Sequence, residues 1–388
     1  MVSKKIIFFD FANFNYVGGA EKNFMKLGKW FSKKGYSVGF ISGSFKLNKL
    51  STKFGAQLYD KKLSDKQLKN KFGVENYLKY DFIDLFLPTK NRKKLKEQLK
   101  KSNMIISKNE IIELLALKLF FNVDPSKITF GFHTPLYYPI TRDLKSKLHN
   151  YFYNSIIYIK LLGKSKVRCL VLTDMEKSSL QNKGVKDIAV IPNPLDTKKF
   201  YQKDYVKNRK FKVYFIGRMT EQKGIDIIYY TIINLSKKKE FDNIEFYFVG
   251  SGEQDYYLKD LIKKFKNCHF LGFHSEVVKF YHDADLVIVP SRWESYCYSV
   301  AEAQSCGVPV VSSNIPGPNG LIINNKTGLL IKPNDPVELE KGILNLYLLW
   351  KTNFNNFKKM GIGARKHIVE NFEEDMINKK IEKFIFRK

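Results

Sequence analysis

Residues 286–313 read LVIVPSRWESYCYSVAEAQSCGVPVVSS. The opening run, Leu286–Pro290, is apolar and β-branched without alternation, as in a strand buried on both faces of a parallel sheet. A helix is expected to start near Tyr296 and to end at Gly307, where glycine stops it. Val308–Ser313 then begins the next strand. This order places Glu294 on the connecting loop and Glu302, eight residues on, inside the helix. The free N–H groups and positive end of such a helix suit a pyrophosphate, and each carboxylate can accept hydrogen bonds from sugar hydroxyls.

Working outward, similar short runs alternate with helix-length amphipathic stretches along the whole chain. In the first half they fall at Lys5–Asp10, Tyr36–Ser42, Met104–Ser107, Val167–Thr173 and Ile188–Pro192. In the second half they fall at Lys212–Gly217, Ile244–Gly250, His269–Gly272, Leu286–Pro290 and Val308–Ser313. The pattern restarts after Asn193-Pro194-Leu195-Asp196, where the polar, lysine-rich stretch 197–210 reads as a linker. The expected fold class is α/β: two Rossmann-like, doubly wound parallel-sheet domains, 1–200 and 201–372, facing across a cleft that holds the site at the strands' carboxyl ends.

The composition narrows the function. The chain has 388 residues with 67 Lys plus Arg, 38 Asp plus Glu and 44% hydrophobic residues, which excludes a disordered chain and fits two domains. Residues 1–200 carry 38 basic and 16 acidic side chains, and 201–388 carry 29 and 22, so the basic excess sits in the first half. Such charge suits nucleic acid, an anionic bilayer or a phosphorylated small molecule, and equally a solvated lysine-rich surface. Lys90–Lys101 reads as a basic surface helix with a thin apolar seam of Leu95 and Leu99. The aromatic stretch Tyr151–Lys166 fits either a bilayer interface or the core of the first domain. No run of 18 residues is apolar and uncharged, so neither a signal peptide nor a spanning helix is expected. Cys169, Cys268, Cys297 and Cys306 show no metal-ligand or disulfide spacing and read as reduced thiols of a cytosolic chain. Asp283-Ala284-Asp285 precedes a strand and reads as a helix end rather than a metal pair. No other cluster has ligand spacing, so a metal-independent reaction without cofactor is expected.

Three further stretches carry chemistry. Gly217 in Phe215-Ile216-Gly217-Arg218-Met219-Thr220-Glu221-Gln222-Lys223-Gly224 lets the backbone approach a ligand, while Arg218 and Lys223 bring two cations to a diphosphate. Gly18-Gly19-Ala20-Glu21 follows the first strand and opens a helix, a second potential anion nest. Gly250-Ser251-Gly252 ends another strand.

Taken with Ile191–Asp196 and Cys306-Gly307-Val308-Pro309, this order of motifs resembles glycosyltransferase family 4, retaining nucleotide-sugar enzymes of the GT-B fold. The resemblance spans nearly the whole chain and is strongest over 211–332. It implies that Glu294 contacts the donor hexose, Glu302 the ribose hydroxyls, and Arg218 with Lys223 the diphosphate. It implies a phosphate cradle from the backbone of Ser295, Tyr296, Cys297 and Tyr298. Gly250, Gly252 and the Gly272-Phe273 turn would line the nucleobase pocket, and Gly18 and Gly19 would close on the diphosphate. His133 matches a family histidine near the reacting carbon, although a histidine beside Pro135, Tyr137 and Tyr138 equally fits a loop or core position. Residues 373–388 would form a helix returning to the first domain.

The sequence departs from the family at Cys297, where a glycine is usual, and at Gly317–Ile322, which has Gly320 where a glutamate is frequent. The expected donor is a nucleotide-diphosphate sugar, UDP slightly favoured over GDP, and the acceptor a glycan or lipid-linked hydroxyl. Peripheral contact with an anionic membrane through the basic half is expected, and nucleic acid is not. The alternatives are a catalytically degenerate GT-B scaffold and a basic nucleic-acid-binding protein.

Overall fold

The computed structural model describes residues 4–10, 19–43, 76–80, 84, 87–108, 111–131, 147, 150, 151, 155, 166–202, 204 and 210–387. The chain forms two compact units, Met1–Ile191 with Asn378–Lys388 and Pro192–Ile377.

In the first unit the strands are β1 (Lys5–Asp10), β2 (Ser37–Gly43), β3 (Asn76–Tyr80), β4 (Met104–Lys108), β5 (Ile128–Gly131), β6 (Arg168–Val171) and β7 (Ile188–Val190). They form one parallel sheet in the order β3-β2-β1-β4-β5-β6-β7. Helices α1 (Gly19–Lys33), α2 (Lys90–Lys101), α3 (Ile111–Leu115) and α4 (Asp174–Asn182) lie between the strands in sequence. Thr89 caps α2 by accepting from the Arg92 N–H at 2.9 Å. Leu95 and Leu99 are buried, whereas Lys90, Lys93, Lys94, Lys96, Lys100 and Lys101 are exposed. The apolar seam of this helix thus belongs to the core, and only its lysines face water. Among the described residues no helix is long and apolar enough to cross a membrane.

The second unit holds β8 (Phe211–Ile216), α5 (Ile225–Leu235), β9 (Ile244–Val249), α6 (Asp255–Lys264), β10 (Cys268–Gly272), α7 (Val278–Asp283), β11 (Leu286–Val289), α8 (Tyr298–Ser305), β12 (Val310–Ser313), β13 (Gly328–Ile331), α9 (Pro336–Thr352) and α10 (Phe354–Phe372). Its sheet is parallel in the order β10-β9-β8-β11-β12-β13. On one face Phe211, Val213, Phe215, Phe246 and Phe248 pack with Ile228 and Ile232 of α5 and Ile343 and Leu346 of α9. Each such side chain removed from water contributes about 1.5–3 kcal/mol, so the sheet is a rigid base for the loops at its carboxyl edge.

The units divide between Ile191 and Pro192, ahead of the linker read at 197–210. The reason is visible in the hydrogen bonds. Leu195 N donates to Phe372 O at 2.9 Å, and the Arg365 guanidinium donates to the carbonyls of Thr197, Phe200 and Ser305. These residues are therefore fastened to the second unit. The last helix, α11 (Glu374–Ile385), runs into the first unit, where Tyr36 donates to Glu382 at 2.6 Å and stacks on Phe386 at 5.4 Å.

Candidate active site

In the second sheet the strand order reverses between β8 and β11, and ligands of doubly wound sheets bind at such switch points beyond the carboxyl ends. The segments leaving these two strands carry Lys223 and Glu294. Lys223 closes a short 3-10 turn, Glu221–Lys223, and the following Gly224 adopts φ +69. A Cβ there would overlap the Pro290 carbonyl oxygen, so only glycine lets the two loops close on each other.

The Lys223 ammonium donates to Glu294 Oε1, and Ser291 Oγ donates to the same oxygen at 3.0 Å. The side chains are 17% and 9% exposed. Burial alone would push the Lys223 ammonium down, but the adjacent carboxylate outweighs it and holds its pKa above the usual lysine value. Arg218 is exposed and has no ion-pair partner among the described residues, leaving its guanidinium available to a ligand.

Helix α8 begins at Tyr298, later than the start expected near Tyr296, because Cys297 takes the left-handed conformation at φ +79, ψ +80. That region favours glycine and costs a side-chain-bearing residue on the order of 1–3 kcal/mol, which accounts physically for a glycine being usual at this position in the family. The thiol is buried, and burial, with the Glu294 carboxylate adding, pushes it up to about 12. The other three cysteines are also buried. Native protein at pH 8 is therefore expected to react with iodoacetamide at least about a thousandfold more slowly than a free thiol, with four thiols appearing in guanidinium. Labelling of Cys297 in the native state at a free-thiol rate would contradict this placement.

Glu302 lies within α8, and its Oε2 accepts from Tyr281 Oη at 2.8 Å. Tyr281, on α7, is fully buried, so it fixes the carboxylate's direction. Nothing local in the sequence pairs these residues across 21 positions. The Tyr296 ring is buried 5.0 Å from that of Tyr298, and Ser295 is buried beside Glu294.

The glycines expected at the nucleobase pocket have a backbone explanation. Met219 N donates to Ser251 O at 2.9 Å and Gly217 N to Val249 O at 3.0 Å, clamping the loop after β8 on the loop after β9. Gly250, at φ +139, and Gly252 sit where a Cβ would overlap the carbonyl oxygens of Gly217 and Met219. Gly272, by contrast, opens on free space, and Phe273 beside it is 53% exposed. Gly320 is likewise open, with nothing within 4 Å of where a Cβ would stand. Asp283 accepts from Tyr214 Oη at 2.6 Å and Lys212 Nζ at 2.7 Å at the end of α7, as a helix-end residue. Gly19 starts α1, whereas Gly18 and His133 lie outside the described residues. The structure thus gathers Lys223, Glu294, Ser295, Cys297 and Tyr298 around one switch point, with Arg218 on the loop that leads into it.

Residues 196–385 match the family described as glycosyl transferases group 1. An uncharacterized glycosyltransferase of Methanocaldococcus jannaschii, MJ1607, is 31% identical over 179 residues, 45% of this chain and 42% of its own. The chain thus spans less than half the length of that relative. The Escherichia coli O-antigen biosynthesis glycosyltransferase WbnH is 27% identical over 77% of this chain and 80% of its own. The structure of Anabaena Alr3699/HepE in complex with UDP and glucose is similar with a TM-score of 0.71 over 98% of both chains, at 17% identity, a likeness of fold. Two doubly wound parallel-sheet units in one chain are the GT-B fold, as the sequence implies.

Proposed function

We propose, from the match of residues 196–385 to the glycosyl transferases group 1 family, that the protein transfers a hexose or N-acetylhexosamine from a nucleotide-diphosphate sugar to a hydroxyl acceptor. The acceptor is a glycan or a lipid-linked sugar in cell-surface polysaccharide or glycolipid synthesis, and the anomeric configuration is retained. The observation that carries this reading is the meeting of Lys223 and Glu294 at the switch point, beside the start of α8.

In this reading the diphosphate faces the first N–H groups of α8, with Arg218 and Lys223 offsetting the charge that grows as the sugar–phosphate bond breaks. These cations do the work a divalent metal would otherwise do, so the reaction runs without one. Glu294 uses Oε1 to hold Lys223 and Ser291, and offers Oε2 to a sugar hydroxyl. Departure and attack take place on the same face of the sugar. The C1–O bond to phosphate breaks, the acceptor oxygen bonds to C1, and its proton passes to the departing phosphate oxygen. Glu302, steadied by Tyr281, holds the ribose. HepE was solved with UDP, which supports a UDP-sugar ahead of a GDP-sugar. The exposed lysines of α2 suit peripheral contact with the anionic cytoplasmic face of a membrane.

The test is thermal unfolding with UDP, GDP, ADP and dTDP and their common sugar conjugates, with and without EDTA. A selective rise in Tm that survives EDTA is expected, and NMR of the product should give the donor's own anomeric configuration. A folded protein that responds to no nucleotide would instead point to a scaffold. Tyr281→Phe is expected to weaken binding of the selected nucleotide by about tenfold, since a charge-assisted hydrogen bond is worth about 1.5–3 kcal/mol and Glu302 would lose its orientation. Calorimetric Kd values within twofold of the parent would remove Tyr281 from this role.

A further inference from the structure

We infer that Arg292 and Asp226 are positioning residues, a latch that holds Lys223 and Glu294 in register with the departing phosphate, and that Arg292 itself is not a phosphate ligand. This rests on the reaction proposed above.

Neither Lys223 nor Glu294 stands on a regular strand or a full helix. Strands β8 and β11 are in register only over Leu286 with Val213 and Val287 with Tyr214, well short of both loops. Something else has to fix their spacing. Arg292 supplies it from two sides. Its backbone N–H donates to Gln222 O at 2.8 Å, and the Gln222 side chain returns a hydrogen bond to Trp293 O at 3.0 Å. Its guanidinium donates from Nη1 to Glu221 O at 2.7 Å and to Asp226 Oδ1 at 2.8 Å, and from Nη2 to Asp226 Oδ2 at 2.6 Å.

These bonds tie residues 221–226 to 292–293, on either side of the Lys223–Glu294 pair. A planar fork on two carboxylate oxygens defines orientation as well as distance. Asp226 sits in the first turn of α5, so the latch is anchored on a helix packed into the core. The Arg292 side chain is 13% exposed and both of its terminal nitrogens are engaged, which leaves Arg218 and Lys223 as the cations for phosphate. The arrangement also keeps Asp226 ionised. Burial would raise its pKa, but Arg292 and the α5 backbone N–H groups lower it. A misplacement on the order of 1 Å in such a site costs about a hundredfold in rate.

The experiment uses the full chain and whichever of UDP-glucose, UDP-N-acetylglucosamine, GDP-mannose and ADP-glucose raises Tm most. Release of the nucleoside diphosphate gives kcat with water as acceptor, and calorimetry gives Kd for the matching nucleotide. Arg292→Lys and Asp226→Asn are each expected to lower kcat ten- to a hundredfold with Kd changed less than threefold, and Asp226→Glu to recover part of the loss. Lys223→Ala in parallel separates the two ideas. If it loses activity while Arg292→Lys and Asp226→Asn stay within twofold of the parent, the latch is overturned and the reaction stands. If Lys223→Ala itself keeps full activity, the reaction as written and the latch fall together. Equal losses in kcat and in affinity, tracking a lower Tm, would mark the pair as merely structural and also overturn it. Should Asp226→Asn not fold, Arg292→Lys decides alone.

Discussion

Replacing Lys223 by alanine is expected to lower kcat about a hundred- to a thousandfold, the loss that follows removal of one contact made to charge developing in a transition state. The side chain is held by Glu294, whose Oε1 also accepts from Ser291, rather than searching solvent, so its charge is placed before the donor arrives. Two effects combine in the variant. The leaving phosphate loses a cation, and Glu294, 9% exposed, loses the partner that orients it. Lys223→Met keeps most of the volume without the charge and should lose as much, whereas Lys223→Arg should lose less. Turnover within threefold of the parent for Lys223→Met, at unchanged Kd, would show that the leaving group is stabilised elsewhere.

The largest effect on stability is expected at Gly250. With φ at +139 and a Cβ that would overlap the Gly217 carbonyl oxygen, Gly250→Ala has to force apart the loops after β8 and β9. Strained backbone and overpacking together cost about 3–5 kcal/mol. For a unit of this size that is a fall in Tm of roughly 10 °C. Gly320→Ala is the control, since its Cβ meets nothing within 4 Å and its Tm should stay within about 1 °C. A similar small change for both would mean that the two loops are not clamped as described.

Much of this architecture is legible in the sequence because buried parallel strands leave continuous apolar runs. Lys5–Asp10 is read to the residue, and the runs at 244, 286 and 308 fall within two residues of β9, β11 and β12. The missed strands lack that signal. Asn76–Tyr80 lies at a sheet edge and its short run is broken by Lys79, while Gly328–Ile331 opens on a glycine and has only three apolar residues after it. Glu294 and Lys223 can be read as candidate site residues because loops after strands concentrate chemistry, and Glu302 by its place in the helix that follows such a loop. Arg292 with Asp226, 66 residues apart, and Tyr281 with Glu302 cannot, because their meeting is a property of the packed sheet. The late start of α8 is another such case, since nothing about a cysteine announces a left-handed backbone.

The first unit is built from both ends of the described chain. Tyr36 needs Glu382 and Phe386, Lys4 lies over the Phe386 ring at 4.6 Å, and Arg168 donates to the Arg387 carbonyl. During synthesis these partners are separated by the whole of Pro192–Ile377. At bacterial or eukaryotic ribosome speeds of about 5–20 residues per second, the wait is roughly 10–40 s. For that interval the seven-stranded half stands unfinished, with the docking surface around Tyr36 open to water and to chaperones. The contiguous half is under no such constraint and can close on itself as soon as it emerges. The first unit thus receives its last segment, Asn378–Lys388, only after the whole of the second has been made.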